Sequence, residues 1–304
     1  MILSIVATIY NDAQIVPVLV KSILENIPDT VTSYEIILVN DFSKDTSEDA
    51  IRLECEKNPC VKGISLSRNF GQQIAMSSGM HHATGDYVII MDGDMQNPPS
   101  EIPRLYSAIQ EGYDVVYAVS KTRNNFIDSL TSYVFWALFT RLFNLKIVKH
   151  LVMMRIMTKE FMARFGEYAE ANRTIDGIVI DISSYYSVLK IENSKRLIGR
   201  SNYTFTKRFN LMIDMIISMS NAPLNFLIYL GFFISFGTFI GFLYYLYSYL
   251  FDKVPSGYTS TQISIFFFGG LTIFILGIIG RYLSNIYTEV RRRPLYHIKR
   301  TYNV

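Results

Sequence analysis

The feature that most constrains the fold is a repeated pattern in the first 120 residues, where short apolar segments alternate with amphipathic ones. Residues 13–26 illustrate the amphipathic type, with apolar side chains at helical spacing such as Ile15, Leu19 and Ile23. Near-continuous apolar strands between amphipathic helices are typical of a mostly parallel sheet covered on both faces. The pattern therefore predicts an α/β domain whose ligands bind outside the carboxyl ends of the strands.

The apolar segments give a definite series of predicted elements. The predicted strands cover residues 2–10, 35–40, 61–66, 87–91 and 114–119, and predicted helices follow at 13–26, around Ala50–Leu53, at 71–83 and up to about 111. The first apolar segment has no basic residue before it and no small-residue cleavage site. It is therefore interpreted as a buried strand and not as a signal peptide.

Overall charge and cysteine content exclude some classes of protein. The formal net charge of +3 is too small to indicate nucleic-acid binding. The two cysteines, Cys55 and Cys60, are expected to be reduced thiols in the cytosol, because no second pair supports a disulfide framework.

Two long segments near the C-terminus, 224–250 and 263–280, are apolar and almost free of charge. Each is about long enough to cross a hydrocarbon core of ~30 Å, although a buried core helix is the alternative. Basic residues lie on both sides of the pair, including the segment RRRPLYHIKR at 291–300. The positive-inside rule then places both flanks in the cytoplasm and the short connection outside.

These observations predict four parts of the chain. They are a cytoplasmic catalytic domain (1–203), a juxtamembrane amphipathic segment (204–222), two transmembrane helices within 223–290 (about 224–250 and 262–285) and a basic cytoplasmic tail (291–304). Pairs of glycines in the two apolar segments, such as Gly277 and Gly280, suit close helix packing and leave homo-oligomer formation open.

Asp92 and Asp94 flank Gly93 directly after the fourth apolar segment. Carboxylates two residues apart on a regular strand share a face, and their hard oxygens suit Mg²⁺ or Mn²⁺. A metal there could bind a diphosphate and neutralise the charge that develops on a departing nucleoside diphosphate, which is the main catalytic demand of glycosyl transfer. A solvated acidic turn is the alternative, but the end of a central strand favours a functional site.

Polar residues also follow the first three predicted strands. Tyr10 and Asp12 lie where the first strand ends, and Asp41 lies at the end of the second; the two carboxylates could accept hydrogen bonds from a ribose or a uracil N–H, or could cap the next helices. Arg68 follows the third strand, either in a sugar or nucleotide loop or at the surface before a helix. Scattered basic side chains suit a phosphate-bearing lipid acceptor, although each alone could be solvated: Lys121, Arg123, Arg155, Arg196 and Arg200.

Longer motifs carry a resemblance that covers nearly the whole chain. The segments VNDFSKDTS (39–47), SRNFGQQIAMSSGMHHATGDYVIIMDGDMQNPPSEIPRL (67–105), GRSNYTF (199–205) and the closing RRRPLYHIKR are the main matches. With them, the sequence resembles the family-2 glycosyltransferases that act on polyisoprenyl phosphates. These include dolichol-phosphate mannose synthases and bacterial undecaprenyl-phosphate glucosyltransferases.

The resemblance implies a Rossmann-like GT-A fold and specific roles for the residues above. It implies a metal bound by Asp92, Asp94 and Gln96, catalytic roles for Asp94, Arg123 and Arg155, a nucleotide-sugar site of Tyr10, Asp12, Asp41, Arg68 and Asp92, and acceptor-phosphate contacts from Lys121, Arg123, Arg155, Arg196 and Arg200.

The activity implied is inverting transfer of a sugar, with a UDP-sugar favoured as donor, to a polyprenyl phosphate. The reaction would occur at the cytoplasmic face of the inner membrane and supply a surface polysaccharide or lipid modification. Two alternatives remain open: a different lipid-linked acceptor, or a degenerate member of the family that serves as a membrane scaffold.

The sequence departs from the family pattern at three places. Phe42 stands where the family usually has glycine, and Asn202 stands where it usually has lysine. The stretch 149–155 contains no acidic residue before Arg155, whereas relatives usually carry an aspartate there.

Overall fold

The computed structural model describes residues 1–120, 151–168, 170, 175–182, 185–192 and 258–304, together with isolated positions between 227 and 247. The strands are β1 Ile2–Ile9, β2 Ser33–Asn40, β3 Val61–Leu66, β4 Tyr87–Asp92, β5 Val115–Ser120, β6 Leu151–Thr158, β7 Tyr186–Ile191 and β8 Ile298–Tyr302. The helices are α1 Ile15–Leu24, α2 Ser47–Lys57, α3 Gln72–His82, α4 Ile102–Ile109, α5 Lys159–Glu167, α6 Ile175–Ile182 and α7 Tyr258–Val290.

All eight strands form one sheet in the order β7-β5-β6-β4-β1-β2-β3-β8. Strand β1 pairs in parallel with β2 and β4, β2 with β3, and β5 with β7. Strands β6 and β8 run antiparallel to their neighbours. The predicted mostly parallel α/β sheet is confirmed.

The alternation of side chains along β1 shows how the sheet is covered. Leu3 and Ile5 belong to one buried cluster, which also contains side chains of α1, α2 and α4. Val6 points to the opposite face and belongs to a second cluster with side chains of α3, α5 and α6. Since both clusters are almost fully buried, the prediction of a sheet covered on both faces is confirmed.

The predicted elements up to β5 agree with the structure to within a few residues at their ends. Residues 2–9 form the central strand β1, which confirms that the apolar N-terminal segment is a buried strand. Strands β6, β7 and β8 were not predicted.

The cysteines are free thiols, as expected, and burial raises the pKa of Cys55 to about 11.

Strand β8 lies in the segment that the sequence indicated only as a basic tail. It pairs antiparallel with β3 and completes that edge of the sheet. The Asn303 side-chain amide donates to the carbonyls of Cys55 and Val61, at 2.7 and 2.9 Å. A Cβ at Gly63 would lie 2.9 Å from the Tyr302 ring, so the glycine makes room for β8. The chain therefore returns to the sheet after α7.

Contacts divide the chain into two compact units. One contains residues 1–137, 146–202 and 293–304, and the other contains 138–145 and 203–292. In the second unit, α7 includes the predicted second span, and Leu271–Val290 is the one stretch of the described residues long and apolar enough to cross a membrane. The amphipathic segment 204–222 lies outside the described residues, as does nearly all of 224–250. The described residues thus do not show a two-helix hairpin.

A buried polar network ties the amino-terminal ends of the strands together, opposite the end where ligands are expected. The Glu35 carboxylate is 5% exposed, forms a 2.7 Å ion pair with Lys62, and accepts hydrogen bonds from the Ser4 hydroxyl and from Thr84. Burial alone would raise the pKa of Glu35. The hydrogen bonds from Lys62, Ser4 and Thr84 outweigh burial and hold this pKa below its ordinary value.

Replacing Glu35 by glutamine is expected to lower the free energy of unfolding at pH 7 by about 1–3 kcal/mol, since hydrogen bonds to a buried charge are lost. A carboxylate with a lowered folded-state pKa contributes stability above its unfolded pKa and loses it as the pH falls through the folded value. The difference between wild type and Glu35→Gln should therefore shrink between pH 7 and acidic pH. Denaturant unfolding at several pH values measures this, and a difference independent of pH would show that the charge is not its source.

Candidate active site

The loops after β1 and β2 are held together at the carboxyl end of the sheet. The backbone N–H of Asn11 donates to the Ser43 hydroxyl at 2.9 Å, and the Asn11 side chain accepts from the Lys44 N–H at 2.7 Å. The Asp12 N–H donates to the Ser47 hydroxyl at 3.1 Å. Tyr10 and Asp12 thus lie on a loop whose backbone is fixed to its neighbour.

Asp41 fixes the loop that follows β3. Its side chain is buried, and its two oxygens accept the backbone N–H groups of Phe70 at 2.8 Å and Gly71 at 2.9 Å. Burial raises the pKa of the Asp41 carboxyl, although these two N–H groups act in the opposite direction. The structure thus gives Asp41 a role in holding loop 67–71, and its predicted nucleotide contact stays a prediction.

The alternative that Asp41 caps α2 is wrong, because its carboxylate bonds to the loop after β3 and Thr46 precedes α2. For Asp12, whose backbone carbonyl accepts the Ile15 N–H at the start of α1, the capping alternative stays a prediction. Gly71, which precedes α3, has φ of +90°, a conformation that side chains other than glycine rarely adopt. A Cβ at Gly71 would meet nothing within 4 Å, so the backbone angle is the constraint that the structure places on this glycine.

Strand β4 ends at Asp92, and a turn carries Asp94. The turn has Met95 at φ of +59°, and the Asp94 carboxylate accepts the Gln96 N–H at 3.1 Å. The relation between the two aspartates is therefore set by a turn, and not by the side-chain alternation of a continued strand. The Asp92 oxygens accept the side-chain amides of Gln72 and, at 3.3 Å, Asn97.

A cavity of about 310 Å³ lies at this edge of the sheet. It is lined by Gln72, Asp92, Gln96, Asn97, Leu151, Val152, Met153, Arg155 and Asp176. The structure therefore brings together three predicted site residues from distant parts of the chain, Asp92, Gln96 and Arg155.

The other predicted site residues do not line this cavity or cannot be placed. Tyr10, Asp12, Asp41, Arg68 and Asp94 are described but are not among its lining residues. The Arg68 guanidinium lies 4.6 Å from the centre of the Phe70 ring. A second group lies outside the described residues: Lys121, Arg123, Arg196 and Arg200.

Arg155 is the most unusual side chain of the cavity because it is fully buried. Its Nη2 atom lies 2.6 Å from the Asp176 Oδ1, and its Nε donates to the Met153 carbonyl at 3.1 Å. Its guanidinium lies 5.4 Å from the centre of the Tyr117 ring. Burial raises the pKa of Tyr117, and nearby Asp176 adds to this while Arg155 opposes it, so the phenol is neutral beside the ion pair.

Sequence reasoning missed Asp176, Gln72 and Asn97. Asn97 and Gln72 lie within the matched motif 67–105, which could have indicated their proximity to Asp92. No local pattern links Asp176 to Arg155, because only the packing of α6 against the sheet brings them together.

The oxygen atoms that line the cavity supply some, but not all, of the ligands that a hard divalent cation needs. Among the described residues, no group of three or more His, Cys, Asp or Glu side chains is placed to hold a metal. Asp92 supplies carboxylate oxygens and Gln96 an amide on the cavity wall, which are oxygen donors of the type that Mg²⁺ and Mn²⁺ prefer. A metal bound there would take its remaining ligands from Asp94, water or a bound diphosphate.

Residues 4–165 match the family described as glycosyl transferase family 2. The chain is 33% identical to the uncharacterised glycosyltransferase YkcC of Bacillus subtilis (strain 168), over 99% of this chain and 94% of that protein. It is 31% identical to the bactoprenol glucosyl transferase of Shigella phage SfII, over 99% and 98% of the two chains. It is also 31% identical to an undecaprenyl-phosphate 4-deoxy-4-formamido-L-arabinose transferase of Shewanella sediminis (strain HAW-EB3), over 97% and 91%.

Among solved structures, the chain is similar to glucosyl-3-phosphoglycerate synthase from Mycobacterium tuberculosis, in a complex with Mn²⁺, UDP-glucose and phosphoglyceric acid. The TM-score is 0.51 at 16% sequence identity, and the match covers 71% of this chain and 77% of that one. This similarity supports the GT-A-like fold.

Proposed function

The chain belongs to glycosyl transferase family 2, and on that premise we propose that it transfers a sugar from a nucleotide sugar to a polyprenyl phosphate with the help of a divalent metal. The observation that carries the proposal is the cavity shared by Asp92, Gln96 and the buried Arg155. Asp92 and Gln96 offer oxygen ligands for a metal–diphosphate complex, and Arg155 offers a fixed guanidinium for an anionic acceptor. The relatives named for bactoprenol and undecaprenyl phosphate support this class of acceptor.

The geometry suggests a separate role for each residue at the cavity. A divalent metal, when bound, neutralises charge on the diphosphate leaving group. Asp92 and Gln96 would hold that metal, and Gln72 and Asn97 orient the Asp92 carboxylate by hydrogen bonds to its two oxygens. Arg155 would bind the acceptor phosphate in the same cavity.

The proposed chemical step is direct displacement at the anomeric carbon. A phosphate oxygen of the acceptor forms a bond to this carbon while the bond to the nucleoside diphosphate breaks, so the configuration inverts. The acceptor phosphate is already anionic at neutral pH, and the step therefore needs no strong general base. A UDP-sugar is the favoured donor, and glucose is the first sugar to test, given the bactoprenol glucosyl transferases among the relatives.

The position of β8 supports a membrane-bound enzyme with its active site in the cytoplasm. Strand β8 follows the candidate span Leu271–Val290, yet it pairs with β3 in the unit that carries the cavity. A chain that crosses the bilayer between those points must cross it an even number of times. Together with the basic segment 291–300, this arrangement favours a pair of spans with both flanks in the cytoplasm.

The test is transfer of radiolabelled sugar from a panel of UDP- and GDP-sugars to undecaprenyl phosphate, with Mn²⁺ or Mg²⁺, by purified protein. We expect label in the lipid extract with one donor, and none after chelation of the metal. In sealed membrane vesicles, donor added from outside should be used only by inside-out vesicles.

Each result has a distinct meaning. Metal-dependent binding of a nucleoside diphosphate without transfer to any polyprenyl phosphate would reject the acceptor and direct the search to other lipid-linked acceptors. Absence of both binding and transfer would favour a scaffold role. Use of donor by right-side-out vesicles would overturn the proposed topology.

A further inference from the structure

Asp176 is an acidic side chain in the cavity that no sequence motif singled out. It lies in the first turn of α6, where the helix dipole favours a negative charge. Its side chain is 36% exposed and lines the cavity together with Asp92 and Gln96. The Asp176 side chain is therefore partly exposed at the cavity.

The Arg155 guanidinium depends on Asp176 for its charge balance. An arginine stays protonated in proteins, and a buried charge is costly unless it is paired. Asp176, with its Oδ1 2.6 Å from Nη2, forms the one ion pair that the described residues give Arg155. Backbone carbonyls of Met153 and Val152 accept from Nε and Nη2 and fix the plane of the group.

One part of the guanidinium remains available. The Nη1 atom is buried and has no hydrogen-bond partner among the described residues. A buried N–H donor without a partner costs free energy, and a ligand oxygen that accepts from Nη1 would remove this cost. An anionic oxygen in the cavity would satisfy it by a charge-assisted hydrogen bond.

The backbone next to Asp176 is held in place by a contact from the side of the cavity that carries Asp92. The N–H of Ile175, the residue before Asp176, donates to the Gln73 side chain at 2.9 Å. Gln72, the neighbour of Gln73 at the start of α3, donates to Asp92. The start of α3 thus contacts both Asp92 and the start of α6. These contacts fix the position of Asp92 relative to Asp176.

We propose that Asp176 is a positioning residue for the acceptor: it holds the Arg155 guanidinium at the cavity wall so that Nη1 can bind the acceptor phosphate. This inference rests on the proposed function. Its ligand class is a phosphate monoester on an apolar chain.

The experiment compares Asp176→Asn, Arg155→Met and the double variant with wild type, and uses Asp181→Asn as a matched control. Asp181 lies on the same helix, is exposed, and accepts a hydrogen bond from Tyr168 at 2.7 Å. The measurements are KM for undecaprenyl phosphate at saturating donor and Kd for the nucleoside diphosphate with Mn²⁺. Binding of a short-chain prenyl phosphate is measured in parallel and needs no turnover.

Asp176→Asn is expected to raise the acceptor KM and the prenyl-phosphate Kd about tenfold or more, the scale of one charge-assisted hydrogen bond. The Kd for the nucleoside diphosphate should stay within about twofold, and Asp181→Asn should change none of these values. The double variant should be no worse than Arg155→Met, because Asp176 acts through Arg155. A general structural defect would instead weaken donor and acceptor binding together.

Two results would overturn the inference: an unchanged acceptor KM in Asp176→Asn, or additive losses in the double variant. If Asp176→Asn does not fold, Asp176→Glu keeps the charge and should still raise the acceptor KM by displacing the guanidinium. Failure of the proposed function would appear separately, as a wild type that transfers no sugar. The prenyl-phosphate Kd then decides the inference, and a wild type that binds no prenyl phosphate rejects it.

Discussion

Asp92→Asn is expected to reduce sugar transfer by a factor of about 10²–10³, because the variant loses the charged oxygen that would hold the metal against the leaving diphosphate. Asp92 ends β4, which lies next to β1 in the middle of the sheet, and it lines the cavity, so its backbone position is fixed by the sheet. The asparagine has nearly the same shape, but its amide group cannot provide two anionic oxygens to Gln72 and Asn97. The measurement is the initial rate of transfer at saturating Mn²⁺.

The same variant should also separate metal binding from folding. Its affinity for the nucleoside diphosphate should fall in the presence of Mn²⁺ and match that of the wild type in EDTA. Asp49→Asn is the matched control, since Asp49 is exposed on α2 and pairs with Arg52 at 3.5 Å. A variant that retains more than a tenth of wild-type transfer would show that Asp92 is not a metal ligand, and would leave Asp94 as the carboxylate to test.

The first five strands were predictable because their residues repeat the same simple pattern. Strands β1 to β4 are buried on both faces, so they appear in the sequence as continuous apolar runs. Strand β8 is different: its sequence is IKRTY, four of its five residues are exposed, and its charges conceal the strand pattern. Its pairing with β3 covers an edge of the sheet that would otherwise be unpaired. This edge exists only in the assembled sheet, so the sequence of β8 alone does not indicate a strand.

The candidate site was predictable where a motif is local. Asp92 and Gln96 belong to one short motif, so their presence together at the cavity could be expected from the sequence. Asp176 could not be inferred in this way, because its contact with Arg155 depends on how α6 packs beside β6. A side chain that pairs across the fold leaves no spacing signal in a single sequence.

Gly93→Ala is expected to impair both folding and transfer, because Gly93 lies between the two aspartates and against the backbone of β1. A Cβ at this position would lie 2.5 Å from the Thr8 carbonyl oxygen and 2.7 Å from Ile9 Cδ1. Thr8 is the partner of Asp92 in the parallel ladder between β1 and β4. The added methyl group should therefore push the end of β4 away from β1 and move Asp92 with it.

The expected cost is about 1–3 kcal/mol in the free energy of unfolding, the usual range for overpacking a tight core. Transfer should fall at least about tenfold, because displacement of a carboxylate that we propose as a metal ligand by about 1 Å is enough to impair catalysis. Gly166→Ala is the matched control: its Cβ would meet nothing within 4 Å in helix α5, and alanine there should stabilise the helix slightly. Denaturant unfolding and the transfer assay measure the two effects on the same preparations. Normal stability and transfer in Gly93→Ala would mean that β1 does not constrain the turn or the position of Asp92.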